Sequence, residues 1–95
     1  MEQSPQHKIR RLALSFPTLR VAYSDLKPWN AEQLDRLASE PIAEGARHAA
    51  RFVLAVWDNA SEWECGRFDV IEAMAVWDPE HKAAFLDWAM APWWG

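Results

Sequence analysis

The stretch EGARHAARFVLAVW, residues 44–57, decides the fold. Ala49, Phe52, Val53, Val56 and Trp57 recur at i, i+3, i+4, i+7 and i+8, which is one face of an α-helix. Ala46, Ala50 and Leu54 carry the apolar surface onto a second face. A helix apolar on two faces is surrounded by others. The spacing therefore predicts a central helix from Ile42 or Glu44 to Trp57. Gly45 near its start costs under about 1 kcal/mol relative to alanine.

Working outward, four serine, asparagine or aspartate residues mark helix starts. Upstream, Ser4 followed by Pro5 is a cap with proline in the first turn. Ile9, Leu12, Ala13 and Phe16 then share a face, and Pro17 ends that helix near Ser15. Asn30 with Gln33 forms a capping box, and Trp29 with Leu34 forms a hydrophobic staple around it. Leu34, Leu37 and Ala38 supply the buried side before Pro41. Downstream, Asp69 with Glu72 repeats the capping box, and Val70, Ile71, Met74 and Trp77 are the expected apolar side. Asp78-Pro79-Glu80 opens a last helix, with Ala84, Phe85, Trp88 and Ala89 inward and Pro92 at its end.

Between the first two helices, Leu19, Val21 and Tyr23 alternate with Arg20 and Ala22, the period of an extended segment. No second strand pattern accompanies it. The expected fold class is all-α: a compact small bundle of four to five short helices with an extended connector near residues 17–28. A single domain over 1–95 is expected, with a basic N-terminal helix over 4–16 and a tryptophan-rich helical body over 30–92. No heptad is sustained, so a coiled coil is not expected.

Six of the seven tryptophans lie in the last 40 residues, which places the expected core in the second half. Its expected members are Phe16, Leu34, Leu37, Phe52, Val53, Val56, Trp57, Met74, Trp77, Phe85 and Trp88. One tetrapeptide repeats: Ala55-Val56-Trp57-Asp58 returns as Ala75-Val76-Trp77-Asp78. Two copies fall short of a solenoid. The expected meaning is two helix ends built by the same local chemistry.

Composition narrows the function classes. Hydrophobic residues at 51% and charged residues at 25% describe a globular chain. Cys65 is the only cysteine, so no intrachain disulfide can form. Met1 to Arg11 is polar and basic with no apolar core of a signal peptide, and no stretch approaches a membrane span. A cytoplasmic location without membrane association is expected.

Charge is uneven. Residues 1–27 hold five cations against two acids, net +3, whereas residues 28–95 hold five against twelve, net −7. Lys8, Arg10, Arg11 and Arg20 are thus candidate contacts to an anionic partner, and nucleic acid is possible but not favoured because the chain as a whole is acidic. The alternative is that this basic segment lies against its own acidic body. No helix combines base-reading amides with several cations.

Groups able to carry chemistry are sparse. His7, His48, His81 and Cys65, with Glu44 and Asp78, are the candidate metal ligands, but Glu44–His48 and Asp78–His81 lack any CxxC or HExxH setting. Asp78 reads as a cap and His81 as a surface residue of the first turn. Cys65 stands beside Glu64 and near Glu62, acids that raise a thiol pKa. A thiol enzyme built on Cys65 is a third reading. Isolated glycines rule out a phosphate-cradling loop. No catalytic residue, metal or cofactor is expected.

The leading expectation is a non-enzymatic protein-interaction or accessory domain, acting through a protein partner or as a homodimer. The large aromatic complement exceeds what short helices need for one face each, and tryptophan is enriched in interface cores. Trp63, Trp93 and Trp94 are candidate contacts, with Arg47 and Arg51, four apart on one helical face, at their rim. The competing account is that the aromatic residues simply fill a small core.

Overall fold

The computed structural model describes residues 4–23 and 29–94. The protein is all-α, with six helices among the described residues: α1 Pro5–Leu14, α2 Pro17–Tyr23, α3 Ala31–Ser39, α4 Glu44–Asp58, α5 Val70–Val76 and α6 Pro79–Met90. Four of them begin at side-chain caps. Ser4 accepts from the His7 N–H, Asn30 from Gln33, Asp69 from Ile71 and Glu72, and Asp78 from His81. Each cap satisfies N–H groups that have no partner inside the helix.

The expected extended connector is corrected over residues 17–23, which form α2. Pro17 ends one helix and opens the next, because a first-turn position does not need its missing N–H. Arg20 N–H donates to the Phe16 carbonyl across this junction. Leu19 is buried and Val21 is 80% exposed, so in seven residues a helix imitates alternation. Residues 24–28, including Lys27, lie outside the described residues.

Helix α4 is central, packed by α1, α2, α3 and α5. Eight of its fifteen residues are buried, from Ala46 to Val56. The largest fully buried side chains are Phe16, Ile9, Leu19, Leu34, Leu54 and Val53. The densest core therefore lies among α1–α4, not in the tryptophan-rich half. Only Trp29 and Trp77 of the tryptophans are buried; Leu37, Trp57, Met74, Phe85 and Trp88 are half-buried and pack onto the core from outside.

Helix α6 joins this core through rings. Phe52 of α4 meets Phe16, Phe68, Phe85 and Trp88, all with centroids within 5.8 Å, and three of the four pairs are edge-on. Edge-on and offset arrangements set the positive rim of one ring against the negative face of another. Two expected faces are corrected. On α5 Ala73 is buried, while Val70 and Ile71 are exposed. On α6 Ala89 is exposed and His81 is buried.

The repeated tetrapeptide serves two different ends. Trp77 caps α5 and Asp78 starts α6, whereas Asp58 is the last residue of α4. Asp58 accepts from Ala60 N–H and the Ser61 hydroxyl, shaping the turn that follows.

Candidate functional site

The helix junctions bring three polar groupings together. In the first, His81 Nδ1 lies 2.7 Å from Asp78 Oδ1 and Nε2 lies 2.6 Å from Thr18 Oγ1. A carboxylate only accepts, so Nδ1 carries the proton and Nε2 accepts from the Thr18 hydroxyl. The Thr18 N–H also points at Nε2, at 3.5 Å. Asp78 holds its carboxyl below the usual range, chiefly because the His81 ring donates to it and then because the His81 backbone does.

A hydroxyl, an imidazole and a carboxylate in this order are the contacts of a nucleophile, its base and the base's orienting group. Such chemistry also needs substrate beside the hydroxyl and donors for an oxyanion. Here the first turn of α4 lies beside the pair: a Cβ on Gly45 would sit 3.8 Å from both His81 Nε2 and Thr18 Oγ1, in ordinary van der Waals contact. Trp77 adds a bond from its Nε1 to the Gly45 carbonyl, 3.0 Å. The grouping thus ties α2 and α6 to the first turn of α4. The expectation that His81 is a surface residue fails because its partner, Thr18, is 63 positions away.

The second grouping holds the loop after α4. Asp35 of α3 accepts from the backbone N–H of Glu64 and of Cys65, at 3.0 and 2.9 Å. Arg51 of α4 donates from Nε to the Cys65 carbonyl at 2.6 Å. Gly66 follows at φ +95°, a left-handed conformation suited to glycine, against the Arg51 guanidinium. Cys65 is buried, and its thiol is pushed up to about 12, first by burial and then by Asp35. The acid responsible is Asp35, not the neighbouring Glu62 or Glu64 named by the sequence. A thiol this weakly acidic is a poor nucleophile at neutral pH.

The third grouping is at the start of α4. His48 is buried, its Nδ1 has no hydrogen-bond partner among the described residues, and its Nε2 lies 3.8 Å from Glu44. Burial first, then Arg51, pushes its pKa down. The pairs Glu44–His48 and Asp78–His81 do come together, but no group of three or more histidine, cysteine or acidic side chains is placed to hold a metal among the described residues.

The candidate partner contacts are dispersed. Arg47 is engaged within the chain, bonding the Ala38 and Glu40 carbonyls and Glu44. Arg51 holds the Cys65 loop. Trp63 donates to the Asp58 carbonyl. Trp93 accepts at its carbonyl from Trp88 Nε1, and Lys8 Nζ stands 4.8 Å from its ring centroid. Trp94 is 66% exposed and edge-on to Trp88.

The candidate anion contacts face their own body. Two adjoining grooves, about 300 and 400 Å³, run between α1–α2 and α6 and share Ser15, Ala84 and Asp87. Lys8 and Arg11 line the first and Arg20 the second, opposite Asp87 and Glu80. Arg10 is half-buried, with Nε enclosed.

The outer face of α6 begins at the rim of the second groove, which Ala83 lines with Arg20. At 100° per residue, Pro79, Ala83, Leu86 and Met90 form one stripe opposite His81, Phe85 and Trp88. All four are exposed, Leu86 at 54% and Met90 at 85%. Sequence reasoning assigned α6 one inward face and passed over the second. The signal was present in Leu86 and Met90, four apart.

No helix among the described residues is long and apolar enough to cross a membrane. No protein-family model, curated protein or solved structure matches this chain.

Proposed function

We propose that this protein is a small non-enzymatic interaction domain that works in the cytoplasm and presents the outer face of α6 to a protein partner. The observation that carries this reading is the exposure of Leu86 and Met90 on a helix whose other face is already used against the core. Exposed apolar surface of this kind marks contact sites.

The face is also separate from the groups that hold the fold. Arg47, Arg51, Trp63 and His81 are bound within the chain, so the contact surface can vary without loosening the helices. Affinity capture with the wild-type chain and with Leu86→Asp/Met90→Asp tests the reading, alongside light scattering of each. The expected result is a stoichiometric companion, another protein or a second copy, that the double variant loses. Identical retention by both baits, with both monomeric, contradicts it.

A further inference from the structure

We infer that the partner of the α6 face is an amphipathic helix carrying basic residues beside its own apolar stripe; this rests on the reading above and names the chemistry of the occupant. The stripe Pro79, Ala83, Leu86 and Met90 has an acidic edge. Glu80 and Asp87 lie about 100° round the helix from Leu86, on the side toward the grooves, and both are exposed. Neither carboxylate takes part in an ion pair among the described residues. The opposite edge holds Lys82 and Ala89.

Around α6 the order is apolar stripe, acidic edge, groove, and then the cations Lys8, Arg11 and Arg20 on the far wall. A chain docked on the stripe therefore meets carboxylates first. Its cations would complete Glu80 and Asp87, and the net charge of −4 on the chain favours their approach.

A second copy fits this face poorly. Two α6 helices packed antiparallel about a twofold axis put like edges together, Glu80 and Asp87 against the same pair. A stable dimer also buries about 800 Å² on each partner. Four side chains, one of them alanine, on a helix of 12 residues fall short of that. A single docked helix needs only a few anchors at i, i+3, i+4 and i+7 spacing.

The test uses two fluorescein-labelled helical peptides of about 18 residues. They share one leucine stripe and differ in having lysine or glutamate elsewhere. Fluorescence anisotropy is read at about 0.15 M salt with the wild type, with Leu86→Asp/Met90→Asp, and with Glu80→Lys/Asp87→Lys. The expected result is preference of the wild type for the lysine peptide by about tenfold or more. That binding falls in the aspartate variant, and the preference reverses in the lysine variant. Equal binding of the lysine peptide to wild type and Leu86→Asp/Met90→Asp overturns the inference, as does failure of both peptides to bind. Self-association of the wild type that the aspartate variant loses also overturns it, while leaving the α6 face as an interaction surface.

Discussion

Thr18 Oγ1 donates to His81 Nε2 across 2.6 Å, joining the first turn of α2 to the first turn of α6 where both meet α4. Removing the hydroxyl leaves a buried acceptor with only the more distant Thr18 N–H. Thr18→Val is expected to destabilise the fold by about 1–3 kcal/mol, the cost of an unsatisfied buried group. Thr18→Ser, which keeps the donor, is expected to cost about 1 kcal/mol or less. Urea unfolding of the two variants checks this; equal midpoints sink the account of this contact.

His48 gives the fold a pH dependence whose sign follows from burial. Its pKa is lowered in the folded state by burial, then by Arg51, while Glu44, Glu72 and Arg47 contribute in opposing directions. The unfolded chain therefore takes up the proton first. Stability is full above the ordinary value of 6.5 and declines as pH falls through it toward the lowered folded value. His48→Leu is expected to flatten this decline in unfolding curves between about pH 7.5 and 5. An unchanged slope in His48→Leu refutes the assignment. Asp78 acts lower down: its depressed pKa means stability is lost as pH falls below 3.8.

Cys65 is held out of reach by Asp35 and Arg51. A thiol pushed up to about 12 and buried is expected to react with a disulfide reagent at pH 8 only as the loop opens. Asp35→Ala removes two backbone bonds and one source of the raised pKa, so labelling is expected to quicken by about tenfold or more. Rapid labelling of the folded wild type would overturn this picture of the loop.

These contacts show how far the residues can be read in one dimension. Ser4, Asn30, Asp69 and Asp78 were legible as caps because capping is settled within four residues. The central helix was legible because its stripe spans fifteen. Helix α2 was not: seven residues between two helices show too few turns for a 3.6-residue period, and Leu19 and Val21 read as well by twos. His81 was misplaced because its burial depends on Thr18, far away in sequence. The outward stripe of α6 was overlooked because an apolar count does not say which of two faces the rings of Phe52 and Trp77 will occupy. The tryptophans misled for a related reason: a large ring at an edge covers a core without being enclosed by it.

Substitutions on the outer face of α6 separate contact from stability. Leu86→Asp/Met90→Asp replaces exposed side chains, Leu86 at 54% and Met90 at 85%, so stability is expected to fall by no more than about 1 kcal/mol. Phe85→Ala, on the inward face against Phe52, is expected to cost about 3 kcal/mol or more. Thermal or urea unfolding measures both. A double variant as unstable as Phe85→Ala would mean that the stripe serves the fold.

Site-specific photo-cross-linking tests the central claim most directly. A benzophenone amino acid is placed at Met90 and, separately, at Glu32 on the exposed side of α3, in cells expressing the protein at native level. The account predicts a discrete cross-linked protein from position 90 and none from position 32. No product from position 90, or the same products from both positions, would contradict it.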